Sequence, residues 1–312
     1  MLPCLERHAQ LCAVRQQRYH MCGDSLFRVF DRVARPIGPI VQDHTLTAAQ
    51  AAQVRRALGA ALVWWTDGPA DAATSGWYAV TCDRFTPLEQ MPSKHRCEVR
   101  RGQKNCTVRQ LDAAFVCQHG YPVYEKSFAR YRGRAVTLWD EPAFRRFVEL
   151  SRDFGDITHY WGAFVGEQLV ALAANDIYDK VEATYWMIKA DPEHLKAYPI
   201  YALIYAMNEF YLGQQGFQYV NDGWRALVHE SHVQAFLTAK FGFAHRYRRL
   251  QINFHPALKL LLGLTAPLAG RLARLDRRLA ALYALQSCRR GSVAVAACPN
   301  TTSGRMGAAP SE

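Results

Sequence analysis

Hydrophobic and small residues crowd into three stretches in the middle of the chain, 158–165, 168–177 and 181–189, separated only by Gly166-Glu167 and Tyr178-Asp179-Lys180. Connectors this short join neighbouring strands as hairpins, so the pattern predicts an antiparallel meander. On either side of it, apolar residues recur at helical spacing in 141–154, 199–214 and 230–241, with a shorter helix near 125–131. Further strands are expected at 106–111, 217–221 and 246–254. The resulting order, β-α-α-β-β-β-α-β-α-β, requires a mixed β-sheet with flanking helices, an α+β class.

Outside that block the pattern is less regular. The first 60 residues read as mainly helical, with a break at Arg35-Pro36-Ile37-Gly38-Pro39. Strands are expected at 61–66 and 77–82, flanking turns at Asp67-Gly68-Pro69 and Ser75-Gly76, and a basic helix at 88–104 leads into strand 106–111. Residues 256–285 form a leucine-rich helical segment interrupted at Pro267, and the small, polar residues 286–312 are expected to be a disordered tail. Four portions follow: an accessory subdomain at 1–104, a main domain at 105–255, the amphipathic segment at 256–285 and the tail at 286–312.

Composition narrows the class. Half of the 312 residues are hydrophobic, enough for a packed core, and the formal charge of +11 favours an acidic partner such as nucleic acid, anionic lipid or a phosphorylated small molecule. No apolar run reaches the roughly 18 residues a membrane span needs. The amino-terminal stretch lacks the apolar core of a signal peptide, so a cytoplasmic location is expected. The nine cysteines are irregularly spaced with no CxxC pair and read as free thiols; with no HExxH pattern either, no metal is expected.

Three local patterns carry a family resemblance: the basic helix running into a strand, Ser93-Lys94-His95-Arg96-Cys97-Glu98-Val99-Arg100-Arg101-Gly102-Gln103-Lys104-Asn105-Cys106-Thr107-Val108-Arg109; the helix 198–215 ending in Gly216 before Phe217-Gln218-Tyr219-Val220-Asn221-Asp222-Gly223; and Phe236-Leu237-Thr238-Ala239-Lys240-Phe241-Gly242-Phe243. In this order they resemble the GNAT-like (acyl-CoA N-acyltransferase) fold of FemAB-related proteins. The resemblance implies two GNAT-like subdomains around a substrate channel, the amino-terminal one degenerate. It also implies acyl-CoA or aminoacyl-tRNA as donor substrate. Acyl-CoA users of this fold carry a glycine-bearing pyrophosphate loop after the meander, whereas Lys189-Ala190-Asp191-Pro192-Glu193-His194-Leu195-Lys196-Ala197-Tyr198-Pro199 contains no glycine.

Acyl transfer to an amine needs a proton acceptor and an oxyanion donor. Asp222, His229 and His232, between a strand end and a helix start, are the candidate catalytic groups, and backbone N–H groups of 185–189 the candidate oxyanion donors. Arg96, Arg100 and Lys104 fall at i, i+4 and i+8 with Arg101 beside them, forming a ridge for phosphate, tRNA included, or simply a solvated face; only Glu98 offsets the charge. Trp161, Tyr185 and Tyr198 are the candidates for an acceptor pocket among aromatics that otherwise suit a core. Leu272, Leu275, Leu279, Leu282 and Leu285 make a stripe beside Arg271, Arg274, Arg277 and Arg278, which fits packing on the protein's own core or peripheral contact with the inner membrane face. The expectation is an N-acyltransferase acting on a small-molecule or carrier-linked amine, such as a cell-envelope or polysaccharide precursor. The alternative is a catalytically inactive protein of the same fold that binds nucleic acid or anionic lipid through the basic helix.

Overall fold

The computed structural model describes residues 2–128, 138–227 and 232–289. In chain order these form α1 (Pro3–Val14), β1 (Tyr19–Cys22), β2 (Ser25–Phe30), β3 (Val33–Ile37), α2 (Ala48–Ala57), β4 (Leu62–Pro69), β5 (Tyr78–Cys82), α3 (Ser93–Asn105), β6 (Thr107–Leu111), α4 (Ala113–His119), α5 (Tyr121–Ser127) and α6 (Glu141–Glu149). The meander follows as β7 (Thr158–Val165), β8 (Gln168–Tyr178) and β9 (Glu182–Ala190). Then come α7 (Pro199–Asn208), prolonged by the π-helical turn Glu209–Gln214, β10 (Tyr219–Trp224), α8 (His232–Phe241), β11 (Ala244–Phe254), α9 (Pro256–Leu264), α10 (Ala269–Leu275) and α11 (Arg277–Arg289).

The strands make one mixed sheet in the order β1-β2-β3-β4-β11-β5-β10-β9-β8-β7-β6. Strand β11 is the seam: Ala244–Tyr247 pairs with β5, and the stretch from Arg248 to Phe254 pairs with β4. Strand β5 lies between β10 and β11, so the amino-terminal 104 residues supply a strand to the interior of the main domain's sheet.

The central strands are covered on both faces. Ala171 and Ala173 of β8 pack with Leu203, Ile204 and Met207 of α7, while Leu172 and Ala174 pack with Val116, Phe144 and Val148 beneath α4 and α6. That is why β8 reads as a continuous apolar run rather than an alternation.

The expectation of a mainly helical first 60 residues is corrected, because β1, β2 and β3 form a meander there. Its hairpins turn over two residues each, with Cys22 opposite Ser25 and Phe30 opposite Val33. The second turn puts Asp31 at φ 44° and Arg32 at φ 65°, a left-handed pair reached without the Asn-Gly dipeptide that usually announces it. Pro36 sits in β3 beyond Val33 and Ala34, the residues paired to β4, so its missing N–H breaks no ladder on that side. Helix α4 was also not expected, although Asp112 caps it by accepting from the Phe115 N–H at 2.6 Å. At the other end α11 continues through Arg289, with Cys288 buried, so residues 286–289 are helical rather than part of a tail; residues 290–312 lie outside the described residues. Among the described residues no helix is long and apolar enough to cross a membrane.

Candidate functional site

Strands β9 and β10 run parallel and are paired only at Glu182–Tyr219, Ala183–Val220 and Thr184–Asn221, after which they part. From Tyr185 to Ala190 the β9 edge that faces β10 has no strand partner among the described residues. Two bulges sharpen the divergence. In β9, Tyr185 and Met187 pair with consecutive residues Asn175 and Ala174, leaving Trp186 as the extra residue. In β10, Asn221 pairs with Thr81 and Trp224 with Ala79, so Asp222 and Gly223 together face the single residue Val80. Gly223 has φ 84°, where a side chain would be strained, and donates its N–H to Asn221 Oδ1 at 2.7 Å. A bulge of this kind re-aims the side chains beside it, here at the mouth where the strands part.

Asp222 sits half-buried on this bulge, and burial pushes its carboxyl up to about 7. A carboxylate whose pKa lies near neutrality is suited to proton transfer. Gln234 of α8 braces the strand end by donating to the carbonyls of Asp222 and Trp224, both at 3.2 Å. His232 opens α8, whereas His229 lies outside the described residues.

Beyond its carboxy end, β9 leads through the turn Pro192–Ala197 to the amino end of α7. Tyr198 caps it in the left-handed conformation, φ 60°, and Pro199 follows at the first helical position. Pro199 has no N–H, the Tyr198 N–H is bonded to the Leu195 carbonyl, and the N–H groups of Tyr201 and Ala202 return to the Tyr198 carbonyl. This end therefore does not offer the fan of open amides that holds a pyrophosphate in a glycine-bearing loop.

Helix α3 lies directly against it. A Cβ on Gly102 would come within 2.7 Å of the Tyr198 carbonyl oxygen and 3.0 Å of the Ala202 nitrogen, so only glycine permits this approach. The contact brings Arg101 to Tyr198, with Nη1 donating to the hydroxyl at 3.4 Å and the guanidinium 5.8 Å from the ring centroid. Arg100, Arg101 and Lys104 are exposed, and Arg96 is half-buried with its Nη1 donating to the Glu89 carbonyl at 3.4 Å. Glu98 is paired with Lys240 of α8 at 2.7 Å, which both fixes α3 and leaves its cations without that counter-charge.

Of the aromatic candidates, only Tyr198 reaches the surface, half-buried at the amino end of α7. Trp161 and Tyr185 are core residues, 6% and 2% exposed. Trp161 Nε1 and Asn175 Nδ2 both donate to the Tyr211 hydroxyl, at 3.0 and 3.2 Å, while the Tyr185 hydroxyl donates to Asn208 Oδ1 at 2.9 Å. The π-helical turn after α7 presents Tyr211 to this network.

Glu182 was not singled out from the sequence. It is buried at the base of the splay, where it accepts from the Ile40 N–H at 2.6 Å, the Thr184 hydroxyl at 2.5 Å and the Asn221 amide. Burial pushes its carboxyl up to about 7. The signal available was an acidic residue inside a strand-forming run, Val181-Glu182-Ala183-Thr184-Tyr185.

A cavity of about 340 Å³ lies elsewhere, lined by Arg109, Phe115, His119, Lys126, Leu169 and Asp191 among others, and shares no residue with the Asp222 bulge. Lys126 there is already paired with Asp191 at 3.0 Å and Glu193 at 2.8 Å. Among the described residues no group of three His, Cys, Asp or Glu side chains is placed to hold a metal ion.

No protein-family model and no curated protein matches the chain. Solved structures do. The chain is similar to the C-terminal domain of a protein assigned as a lysylphosphatidylglycerol synthetase from Agrobacterium fabrum, with TM-score 0.54 and 14% identity over 82% of this chain and 91% of that one. It is also similar to FemX, with TM-score 0.55 and 9% identity over 83% of this chain and 92% of that one. At such identities the likeness shows the fold, which is GNAT-like and FemAB-related.

Proposed function

We propose that this chain, having the GNAT-like fold of FemAB-related proteins, is an N-acyltransferase that moves an acyl or aminoacyl group from a thioester or an aminoacyl-tRNA onto a small-molecule or carrier-linked amine. The observation that carries the reading is Asp222, a half-buried carboxyl near neutrality on a bulge where β9 and β10 part. In this reading the amine nitrogen attacks the donor's carbonyl carbon, and the carbonyl oxygen takes the negative charge beside the unpaired edge of β9. The Asp222 carboxylate removes the proton from the attacking nitrogen. The C–S or C–O bond to the donor then breaks, and the leaving sulfur or oxygen takes the proton that Asp222 removed, which returns Asp222 to the carboxylate.

The α7 end supports a donor held by side-chain cations rather than by open amides. Arg101 stands beside Tyr198, with Arg100 and Lys104 exposed along the same helix. That arrangement favours an aminoacyl-tRNA, whose phosphates a basic ridge can follow. The exposure of that ridge also favours a second reading, an inactive protein that binds polyanions through α3 without transferring anything.

Purified protein offered labelled aminoacyl-tRNA or acyl-CoA together with an amine acceptor tests these readings. Transfer to the amine is expected, with Asp222→Asn losing about 100-fold in kcat. Equal turnover in the variant would remove Asp222 from the reaction. Salt-sensitive tRNA binding without transfer would establish the second reading.

A further inference from the structure

The carboxy-terminal helices leave leucines outside. Helix α9 buries Leu262, 1% exposed, but leaves Leu260, Leu261 and Leu264 at 64%, 49% and 72% exposure. Leu268 at 50% in the next turn and Leu275 at 82% in α10 are exposed as well. The other large exposed hydrophobics among the described residues, Val14, Tyr19, Phe30 and Leu138, are spread along the rest of the chain.

This surface is not an unfinished piece of the core. The inward positions of α11 are occupied: Leu282, Leu285 and Cys288 pack against Trp64, Trp77 and Trp224. The Tyr283 hydroxyl donates to Thr265 Oγ1 at 2.6 Å and ties the end of α9 to α11. The stripe that the sequence suggested is thus divided, with Leu282 and Leu285 turned inward and Leu275 turned out. A fixed helical unit presents the outward leucines.

Its charge is one-sided. Lys259, Arg271, Arg274, Arg277 and Arg278 are exposed within the same segment. Asp276 is the sole acid between residues 256 and 289, and it is engaged as the cap of α11, accepting from the N–H groups of Arg278 and Leu279 at 2.7 and 2.9 Å. A second copy docking through the same face would bring arginines against arginines. Residues 290–312 carry Arg290 and Arg305 against the single acid Glu312, so they do not neutralise the surface either. Leucines flanked by cations fit one partner, an interface with an apolar interior and an anionic rim.

We propose that α9 and α10 dock this protein on an anionic phospholipid bilayer, Leu260, Leu261, Leu264, Leu268 and Leu275 entering the acyl boundary and the arginines meeting the headgroup phosphates. The docked unit reaches the candidate site through α11, which packs on Trp224, two residues after Asp222. Docking does not depend on acyl transfer, so the two readings fail separately.

Sedimentation of the full chain with vesicles of phosphatidylcholine, alone or mixed with phosphatidylglycerol, tests it. Binding to the mixed vesicles and little to the neutral ones is expected. Arg271→Gln with Arg274→Gln should lower the partition coefficient about 30-fold. Leu264→Ser with Leu268→Ser and Leu275→Ser should lower it by about 100-fold with the thermal midpoint kept. The arginine pair serves as the readout if the leucine variant does not fold. No sedimentation of the wild type with mixed vesicles, or undiminished sedimentation of either variant, overturns the proposal. A wild-type dimer that the leucine variant converts to monomer, without vesicle binding, would assign the face to a second copy instead.

Discussion

At Asp222 the requirements of folding and of chemistry oppose one another. The bulge holds the carboxyl half-buried, which disfavours its charged form and moves it from the ordinary 3.8 up to about 7. The folded protein therefore keeps a proton that the unfolded chain releases. The stabilising contribution is complete below about pH 4 and is lost as pH rises through about 7. Glu182 acts in the same direction, moving from 4.5 to about 7 by burial. An isosteric Asp222→Asn side chain stays neutral and escapes this loss. Relative to the wild type, the variant should gain stability as pH rises from about 4 to about 8, by about 2 kcal/mol after allowing for solvent screening at a half-buried site. Denaturant titrations of both proteins across that range would show it; curves that run parallel would mean that Asp222 ionises at its ordinary value in the folded protein, and a wild type that gains on the variant would mean that it ionises below that value.

Between elements, the contact of α3 with α7 decides where Arg101 stands relative to Tyr198. Gly102 is the point of closest approach, and the atoms that a Cβ would meet at 2.7 and 3.0 Å are backbone, which cannot swing aside. Gly102→Val should cost about 1–3 kcal/mol and push α3 away from Tyr198. Arg101 then leaves the amino end of α7, so donor KM should rise more than kcat falls. A melt unchanged from the wild type would show that α3 is not seated as described. This contact was within the quoted basic motif, but a glycine in a helix signals a close approach only once its neighbour is known. The meander was legible because β7, β8 and β9 are long, apolar and joined by hairpin-length turns. Strands β1 to β3 were not, because they are short, carry Arg28 and Arg35 among their apolar residues, and turn at Asp31-Arg32. Asp222 stood out as an acid after a strand, whereas the bulge that aims it comes from pairing with β5, a partner more than a hundred residues away in sequence.

Across the whole molecule, strand order is the property that element order does not contain. A reading that stops at residue 104 makes the amino-terminal portion an accessory, yet β5 is central and β11 belongs to both parts of the sheet. At the register shift of β11, Arg248 is 5% exposed, reaches the Val41 carbonyl at 3.2 Å and pairs with Asp43, while its own carbonyl accepts from the Ser75 hydroxyl at 2.7 Å. Arg225 reinforces the same region by donating to the Gly76 carbonyl at 2.8 Å. With hydrogen bonds continuous across β4, β11, β5 and β10, separating the two parts would strip backbone pairing from both faces of the seam. The sheet should therefore unfold in one transition. Of the seven tryptophans only Trp64, Trp65 and Trp77 lie on the amino-terminal side, so with Trp139, Trp161, Trp186 and Trp224 replaced by Phe the fluorescence reports on the part that far-ultraviolet circular dichroism averages with the rest. The two signals should superimpose through denaturant, and Arg248→Ala should shift both together by about 1–3 kcal/mol. If tryptophan fluorescence changes before the circular dichroism does, the amino-terminal part is a separate folding unit, and the mouth between β9 and β10 does not depend on it.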